Sequence, residues 1–234
     1  MSGLATIDNA HVEEAYARWA PIYDLVFTLV MRPGRRAAAA AASRAGGLVL
    51  DVGVGTGLEL PMFGRDTRLV GVDLSEPMLR RALARVRGGR LTNVEGLLRM
   101  DAMRLAFPDG AFDCVVAPYV MTVVPDPAAT LDELFRVTKP GGEIVLVNHV
   151  GAEGGPVAAV EAWLDRRAAK LGWRPQFPFA IISDWIERKP GARLVERRAL
   201  APLGLFTLVR ISKAPSGREK VEAGFSRDAR SAER

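Results

Sequence analysis

A glycine-rich segment near residue 50 constrains the fold more than any other feature of the 234-residue chain. The apolar run at residues 49–52 contains Asp51, and a second apolar run ends at Asp73. Between them, three glycines stand at alternate positions: Gly53, Gly55 and Gly57. Such a loop lets backbone approach a ligand without a Cβ atom in the way, and a carboxylate after the next strand suits a ribose diol. The segment predicts a nucleotide-type cofactor at the edge of a parallel sheet.

Short apolar runs alternate with helical segments, which predicts an α/β fold with a seven-stranded, mostly parallel sheet. The predicted strands span residues 48–52, 68–73, 94–99, 113–118, 143–148, 194–200 and 205–211. The predicted helices span residues 34–45, 76–88, 127–138 and 155–172. Pro140-Gly141-Gly142 predicts a turn into the fifth strand. Only a few residues around Pro202 and Gly204 separate the last two strands, which predicts a C-terminal antiparallel hairpin.

Composition divides the chain into three predicted parts. Residues 1–33 are expected to form an N-terminal helical lid that also contacts a membrane. Residues 34–212 form the main domain, which carries the glycine loop, and residues 213–234 form a polar tail of mixed charge.

The N-terminal part contains two predicted helices, at residues 6–19 and 22–31, which are broken at Pro21. The second helix is strongly apolar. Three arginines follow it at once: Arg32, Arg35 and Arg36. An apolar helix beside arginines is suited to the interface of an anionic membrane. The alternative is a helix packed on the main domain with its arginines in water.

Charge and cysteine content narrow the class of protein. A net charge of +5 and a pI of about 9.8 favour anionic partners such as acidic lipid or nucleic acid. The single cysteine, Cys114, lies in an apolar run and predicts a buried, unreactive thiol, and two histidines provide no zinc cluster. No secretory signal is visible, and the apolar stretches are too short to span a bilayer. We therefore expect a cytoplasmic, metal-free protein that associates peripherally with the inner face of the cell membrane.

A nicotinamide dinucleotide site is the main alternative for the glycine loop. That site has the spacing G-x-G-x-x-G, and its helix N-terminus receives a pyrophosphate. Here Gly57 comes one position early, and Glu59 would repel a phosphate. Asp51 within the strand is unexpected for a dinucleotide but suits the ammonium of an amino acid. The pattern favours a cofactor without a phosphate group.

From Tyr16 to His149 the chain resembles the class I S-adenosylmethionine-dependent methyltransferases. The resemblance rests on five ordered segments: LDVGVGTG, VGVDLSEPML, RMDAM, FPDGAFDCVVAPYVMTVVPD and LFRVTKPGGEIVLVNH. It implies a Rossmann-like sheet, S-adenosylmethionine as the cofactor and S-adenosylhomocysteine as the product.

The resemblance also implies how the adenosine half of the cofactor is held. Asp73 binds the ribose hydroxyls, and Leu74 and Met78 lie beside adenine. Asp101 accepts a hydrogen bond from the adenine amino group, and Ala102 donates one from its backbone.

For the methionine half, the resemblance implies contacts with three segments: the first acidic residue, the glycine loop and the end of the fourth strand. Ala117 and Tyr119 lie under the methionine. The remaining residues of this set are Asp51, Gly53, Gly55 and Gly57.

Segments outside the cofactor motifs indicate the methyl acceptor. The sequence YARWAPIYD at residues 16–24 resembles both bacterial phosphatidylethanolamine N-methyltransferases and the C-methyltransferases of ubiquinone and menaquinone biosynthesis. Val147-Asn148-His149, residues 151–156 and the apolar helix followed by arginines are closer to the phospholipid enzymes. The resemblance therefore implies methylation of phosphatidylethanolamine, and of its mono- and dimethyl forms, towards phosphatidylcholine.

Three residues are candidate catalytic residues. His149, at the end of a predicted strand, is a candidate base or phosphate contact. Tyr16 and Tyr23 are seven residues apart and would share one face of a continuous helix. Pro21 lies between them, so the sequence leaves open whether the helix is continuous. Their aromatic faces would stabilise a sulfonium or a methylated ammonium.

Residues later in the chain are candidates for lipid contacts. Four aromatic residues suit either an acyl-chain groove or an ordinary core: Trp163, Trp173, Phe177 and Phe179. Three arginines are candidate phosphate contacts: Arg166, Arg167 and Arg174.

Three rival functions are weighed against phospholipid methylation. A quinone C-methyltransferase shares the N-terminal motif and stays open. The intact glycines and acidic pair disfavour a non-catalytic lipid- or nucleic-acid-binding module. The sequence has no appended binding domain, no N-P-P-Y-type tetrapeptide and no basic-aromatic stripe, which disfavours a nucleic-acid methyltransferase. We expect no nucleic-acid partner, and the oligomeric state stays open.

Overall fold

The part of the chain that the computed structural model describes comprises residues 30–149, 177–200, 204 and 206–216, and it contains one seven-stranded sheet. The strands are β1 Leu48–Val52, β2 Arg68–Asp73, β3 Val94–Arg99, β4 Phe112–Pro118, β5 Thr138–Asn148, β6 Ala192–Leu200 and β7 Phe206–Lys213. Their order is β3-β2-β1-β4-β5-β7-β6. The first five strands pair in parallel, and β7 is antiparallel to both β5 and β6. The predicted α/β sheet with a C-terminal antiparallel hairpin is confirmed.

The strand β5 begins at Thr138, well before the predicted start at Glu143. Thr138 pairs with Phe112, and the next pair joins Cys114 to Glu143. Residues 139–142 therefore bulge out of the ladder, and Gly141 supplies a positive φ of 81°. The turn predicted at residues 140–142 is wrong, because these residues lie inside a bulged strand.

Helices cover both faces of the sheet. They are α1 at residues 30–45, α2 Glu76–Gly89, α3 Pro127–Val137 and α4 Phe179–Arg188, with a short 3-10 helix at Leu60–Met62. The carboxylate of Asp126 starts α3 by accepting hydrogen bonds from the backbone N–H groups of Ala128 and Ala129. The predicted helix at residues 155–172 lies outside the described residues.

Each face of the sheet has its own apolar core. One core packs α3 and α4 on the sheet, and Val115 and Leu131 are completely buried there. The other core packs α1 and α2 on the sheet, around Val49 and Cys114. Burial raises the pKa of the Cys114 thiol to about 12, so this thiol is protonated at neutral pH, as predicted.

The helix α4 is absent from the predicted elements, although its apolar residues recur at helical spacing. Ile182 and Trp185 are buried, and the Trp185 indole donates a hydrogen bond to Asp132 of α3 at 3.1 Å. Phe177 is buried in the same core, and Phe179 packs against it. Both aromatic residues therefore belong to the core, one of the two roles that the sequence left open for them.

The helix α1 differs most from its prediction. A helix that starts at Gly34 after a break is wrong, because residues 30–45 are continuously helical. The predicted boundary between lid and main domain, after residue 33, falls inside this helix. Helical spacing places Arg35 on the same buried face as Ala38, whereas Arg32 and Arg36 are exposed. Arg35 faces the sheet, which corrects its assignment to a membrane surface.

Candidate cofactor site

A cavity opens at the carboxyl ends of β1, β2 and β4, at the edge of the sheet where the sequence predicts a cofactor. Its wall is formed by the glycine loop, the turn between β2 and α2, the loops after β3 and β4, and one residue of α1. The predicted cofactor residues that line it are Gly53, Gly55, Asp73, Leu74, Met78, Asp101, Ala102 and Tyr119. The structure therefore brings residues of four separate sequence motifs to one cavity.

The glycine loop leaves room for a side chain at one of its cavity-lining glycines and not at the other. The φ angles of Gly53 and Gly55 are 73° and 53°, in the region that glycine favours. The N–H of Gly53 donates to the carbonyl of Val72 at 2.8 Å, which ties the loop to β2. A Cβ atom on Gly53 would overlap the Val120 side chain, whereas one on Gly55 would meet nothing closer than the Met78 sulfur at 3.8 Å.

Asp73, at the end of β2, is held by two backbone hydrogen bonds. One carboxylate oxygen accepts from the N–H of Gly55 and the other from the N–H of Ser75, both at 2.8 Å. Burial raises the pKa of Asp73, and these backbone donors oppose the rise. Because each oxygen has a further lone pair, the carboxylate can still accept from the two hydroxyls of a ribose.

Asp101 lies where the chain leaves β3 and lines the same cavity. One of its carboxylate oxygens accepts a hydrogen bond from the N–H of Met103 at 2.9 Å, and the N–H of Arg104 donates to the Asp101 carbonyl at 3.0 Å. This local turn holds Asp101 and Ala102 at the cavity wall.

Arg35 and Glu59 line the opposite end of the cavity, and a second acidic side chain, Asp51, lies behind the wall next to Val52. Asp51 is completely buried, and neither of its carboxylate oxygens has a hydrogen-bond donor among the described residues. Burial and the neighbouring Glu59 raise the pKa of Asp51 well above its usual range, and burial raises the pKa of Glu59 to about 7. The positive charge of Arg35 partly offsets both shifts.

Three predicted cofactor residues do not line the cavity: Asp51, Gly57 and Ala117. Ala117 is completely buried in the core under α3, and the next residue, Pro118, lines the cavity instead. Gly57 packs against α2, where a Cβ atom would come within 3.2 Å of the Ala82 backbone. Side chains alternate between the faces of a strand, so the predicted position of Ala117 is wrong by one residue.

Tyr119 joins α1 to the cavity. Its φ is 65°, and its hydroxyl donates a hydrogen bond to the Met31 carbonyl of α1 at 2.8 Å. A Cβ atom on Gly34 would overlap this hydroxyl, so glycine at this position lets α1 approach Tyr119 closely. Tyr119 therefore supports the position of Arg35, whose guanidinium lies 5.9 Å from the centre of the tyrosine ring.

His149 lies at the carboxyl end of β5, beside the cavity rather than in its wall. It is half-buried, and its ring centre lies 6.2 Å from that of Phe206. The Phe206 ring in turn packs edge-on against Tyr119 at 5.1 Å. A row of three aromatic rings thus connects His149 to the cavity.

The remaining candidates lie outside the described residues: Tyr16, Tyr23, Trp163, Arg166, Arg167, Trp173 and Arg174. Over the ranges that the structure covers, no group of three or more His, Cys, Asp and Glu side chains is arranged to hold a metal ion. Over the same ranges, no helix is both long and apolar enough to cross a bilayer.

Comparison with known proteins decides the family. Residues 50–146 match a family model described as a methyltransferase domain. A phosphatidylethanolamine N-methyltransferase of Cereibacter sphaeroides is 42% identical over 202 residues, which cover 86% of this chain and 97% of that protein. The chain belongs to the S-adenosylmethionine-dependent methyltransferases.

Two further similarities are more limited. A demethylmenaquinone methyltransferase of Roseiflexus castenholzii is 37% identical to this methyltransferase over 142 residues, which cover 57% of this chain and 58% of that one. The solved magnesium protoporphyrin IX methyltransferase of Synechocystis PCC 6803, which contains bound SAH, has a TM-score of 0.68. It is 15% identical, and the match covers 88% of this chain and all of that one, which shows a shared fold.

The cavity of the methyltransferase fits its cofactor, S-adenosylmethionine. Asp73 retains lone pairs for ribose hydroxyls, and Gly55 leaves room for the ligand beside the loop. At the other end, the buried carboxylate of Asp51 has no donor among the described residues, and the cofactor brings an ammonium group. The cofactor supplies a methyl group on a positively charged sulfur.

Two cavity residues were not assigned to the cofactor by sequence reasoning. Arg35 was assigned to a membrane surface, although the spacing of Met31, Arg35, Ala38 and Ala42 places all four on one face of a helix. Glu59 was used only as an argument against a phosphate. The available signal for Arg35 was a helical spacing that places this arginine on the same face as apolar residues.

Proposed function

We propose that this methyltransferase methylates the amine of phosphatidylethanolamine, and of its mono- and dimethyl forms, at a membrane surface. The observation that carries the proposal is the 42% identity to a phosphatidylethanolamine N-methyltransferase over 97% of that protein. The demethylmenaquinone methyltransferases match only about half of this chain, in the case of Roseiflexus castenholzii 57%. The similarity to the phospholipid enzyme extends beyond the cofactor domain, and a shared cofactor domain alone says little about the acceptor.

The residues of the cavity align the reacting groups. Asp73 holds the ribose and Asp101 the adenine, while the glycine loop lets the backbone lie against the methionine half. Transfer is an in-line displacement at the methyl carbon, so the rate depends on the alignment of the acceptor nitrogen and on the exclusion of water. Val120, beside Gly53, contributes an apolar surface to the wall at this point.

The acceptor amine arrives mainly as an ammonium and must lose a proton before its lone pair attacks. His149 is the candidate base for this proton, or a contact for the lipid phosphate. Its position at the carboxyl end of β5 supports this role, because ligands of parallel sheets gather at that edge. Tyr16 and Tyr23 stay predicted contacts for the acceptor.

The proposal includes peripheral contact with an anionic membrane on the cytoplasmic side. Arg32 and Arg36 lie one helical turn apart on the exposed face of α1, and Val30 is 44% exposed on the same helix. With a net charge of +5, the protein is attracted to acidic lipid. Salt should weaken this attraction.

The substrate is tested by incubating the purified protein with methyl-labelled S-adenosylmethionine and vesicles of phosphatidylethanolamine and phosphatidylglycerol. We expect label in the methylated phosphatidylethanolamines after chromatography of the lipids. Vesicles of phosphatidylglycerol alone, and vesicles that contain demethylmenaquinone, are the controls. Label in the quinone and none in phosphatidylethanolamine would replace the proposal with C-methylation, the second candidate, which the demethylmenaquinone methyltransferase relatives support.

The role of His149 is tested by His149→Ala in the same assay. Loss of a general base typically costs about 10²- to 10⁴-fold in turnover. The affinity for S-adenosylhomocysteine should change little, because His149 does not line the cavity. Turnover close to that of the unmodified enzyme would remove His149 from the mechanism.

A further inference from the structure

The β3–β4 connection, residues 100–111, contains no helix or strand, yet its first residues form part of the cavity wall. A tight turn follows them, in which Asp101 accepts hydrogen bonds from the N–H groups of Met103 and Arg104. The turn fixes the local shape of the segment, but its place in the molecule depends on what holds the residues after it. The cavity residues of this connection are Met100, Asp101 and Ala102.

Two side chains of α3 hold the connection immediately after the turn. The Glu133 carboxylate accepts a hydrogen bond from the N–H of Leu105 at 2.8 Å. The Arg136 guanidinium donates to the carbonyl of Leu105 at 2.7 Å and to that of Phe107 at 2.8 Å. Arg136 also donates to Glu133 at 2.8 Å, which orients both groups. Both backbone polar groups of Leu105 therefore have their partners on α3.

The helix that carries this pair is itself joined to another segment of the cavity wall. Val123, Val124 and Pro125 line the cavity, and α3 begins at Pro127. The Asp126 carboxylate between them caps the helix by accepting two backbone hydrogen bonds, at 2.9 and 3.0 Å. The pair on α3 thus connects two segments of the wall, one that follows β3 and one that follows β4.

We propose that Glu133 and Arg136 are positioning residues for base recognition. By tying the β3–β4 connection to α3, they fix the place of Asp101 and so set the preference of the cavity for adenine. The proposal rests on the predicted contact between Asp101 and the adenine amino group, and it does not depend on which molecule accepts the methyl group.

Apolar packing alone does not hold the connection with the accuracy that base recognition requires. Leu105 is buried, and Phe107 packs edge-on against Phe112 with ring centres 4.9 Å apart. Such contacts are non-directional, so the segment can shift along α3 while it keeps them. A planar guanidinium with two carbonyl acceptors fixes direction as well as distance. The hydrogen bonds with Arg136 lower the pKa of Glu133, which keeps the pair ionised at neutral pH.

Calorimetry with two ligands that differ only in the base tests the proposal. S-adenosylhomocysteine carries the 6-amino group, whereas S-inosylhomocysteine has a carbonyl oxygen in its place, which the Asp101 carboxylate repels. The ratio of the two affinities reports on the base alone, because the rest of the two ligands is identical. In the unmodified protein we expect a preference for S-adenosylhomocysteine on the order of a hundredfold. Equal affinities would overturn the proposal, because no base recognition would be left to position.

Two substitutions of Arg136 test the pair itself. Arg136→Met removes every donor and keeps an apolar stem, so the preference should fall to roughly tenfold or less. Arg136→Lys keeps the charge without the planar fork and should give an intermediate preference, and it decides the matter if the methionine variant does not fold. 5′-methylthioadenosine, which has the same adenosine and thioether without the amino-acid end, should lose affinity by the same factor as S-adenosylhomocysteine. A folded variant that keeps the full preference would overturn the proposal.

Asp132→Asn is the matched control, one residue from Glu133 on the same helix. Asp132 bonds to α4 instead, where it accepts from the Trp185 indole at 3.1 Å and from the Lys189 ammonium at 2.6 Å. The substitution should lower the thermal midpoint and leave the base preference unchanged. A fall in preference equal to that of Arg136→Met would mean that any loosening of α3 has this effect, and the assignment to the pair would fail.

Discussion

The ribose end and the amino-acid end of the cavity differ in how their carboxylates are held. Asp73 accepts two backbone hydrogen bonds at 2.8 Å, so its position is set before a ligand arrives. Asp51 has no donor among the described residues; burial and the neighbouring Glu59 raise its pKa, and Arg35 partly opposes the rise. One end is organised by local backbone and the other by side chains from distant segments.

The difference has a consequence for binding. A carboxylate fixed by backbone N–H groups loses little freedom when it accepts ribose hydroxyls, so most of the interaction contributes to affinity. A buried carboxyl pair without donors is costly in the free protein, and a cationic ligand offsets that cost. The ribose end is therefore organised before binding, whereas the amino-acid end depends on the charge of the ligand.

The largest expected effect comes from Asp73→Ala, which removes the ribose contacts and the tie to Gly55. Two charge-assisted hydrogen bonds predict a loss of roughly a hundred- to a thousandfold in affinity. S-adenosylhomocysteine and 5′-methylthioadenosine should lose equally, because both contain the ribose. Calorimetry measures both ligands.

The matched control for this variant is Asp113→Ala. Asp113 likewise accepts a backbone hydrogen bond, from Leu48 at 2.8 Å, but it lies at the opposite end of the sheet. Asp113→Ala should lower the free energy of unfolding and leave the affinity for both ligands unchanged. If Asp73→Ala spared 5′-methylthioadenosine, the two ends would not be independent.

Much of the fold and of the ribose end is predictable from sequence because it depends on local features. Strands buried on both faces form continuous apolar runs, and the bounds of β1, β2 and β3 agree with their predictions. Gly53, Gly55 and Asp73 lie at element ends, where the strand bounds determine their place in the cavity. The bulge in β5 was missed, because proline and two glycines indicate a turn as readily as a bulge.

The amino-acid end was predictable only in part, because it depends on tertiary packing. Arg35 reaches the cavity only because Gly34 lets α1 approach Tyr119, a contact between residues far apart in sequence. An arginine after an apolar run also fits a membrane surface, and the sequence alone does not distinguish a membrane contact from a position in the cavity wall. Ala117 was displaced by one position, since the alternation of side chains depends on where β4 ends.

A smaller effect is expected from alanine at two glycines of the loop after β1, Gly53 and Gly55. Both have positive φ, which costs about 1 kcal/mol for alanine. At Gly53 the methyl group also overlaps the Val120 side chain. Gly53→Ala should therefore lower the free energy of unfolding by a further ~1–3 kcal/mol, the usual cost of overpacking a core.

Gly55→Ala is the matched partner, because its methyl group has room beside Met78. Urea unfolding of the two variants measures the difference. An equal loss of stability would show that Val120 moves without cost, and that the loop is packed more loosely than the Gly53–Val120 contact indicates.

The smallest expected effect comes from Tyr119→Phe, which removes the hydrogen bond to Met31 and leaves the ring in place. The loss should be about 1 kcal/mol in unfolding free energy. Because this bond holds α1, and α1 carries Arg35, S-adenosylhomocysteine should bind severalfold less tightly while 5′-methylthioadenosine is unaffected. Ser183→Ala, which removes a hydroxyl on α4 far from the cavity, is the control. A loss shared by both ligands would mean that Tyr119 acts on the whole cavity, and the separation of the two ends would then be weaker than their hydrogen bonds indicate.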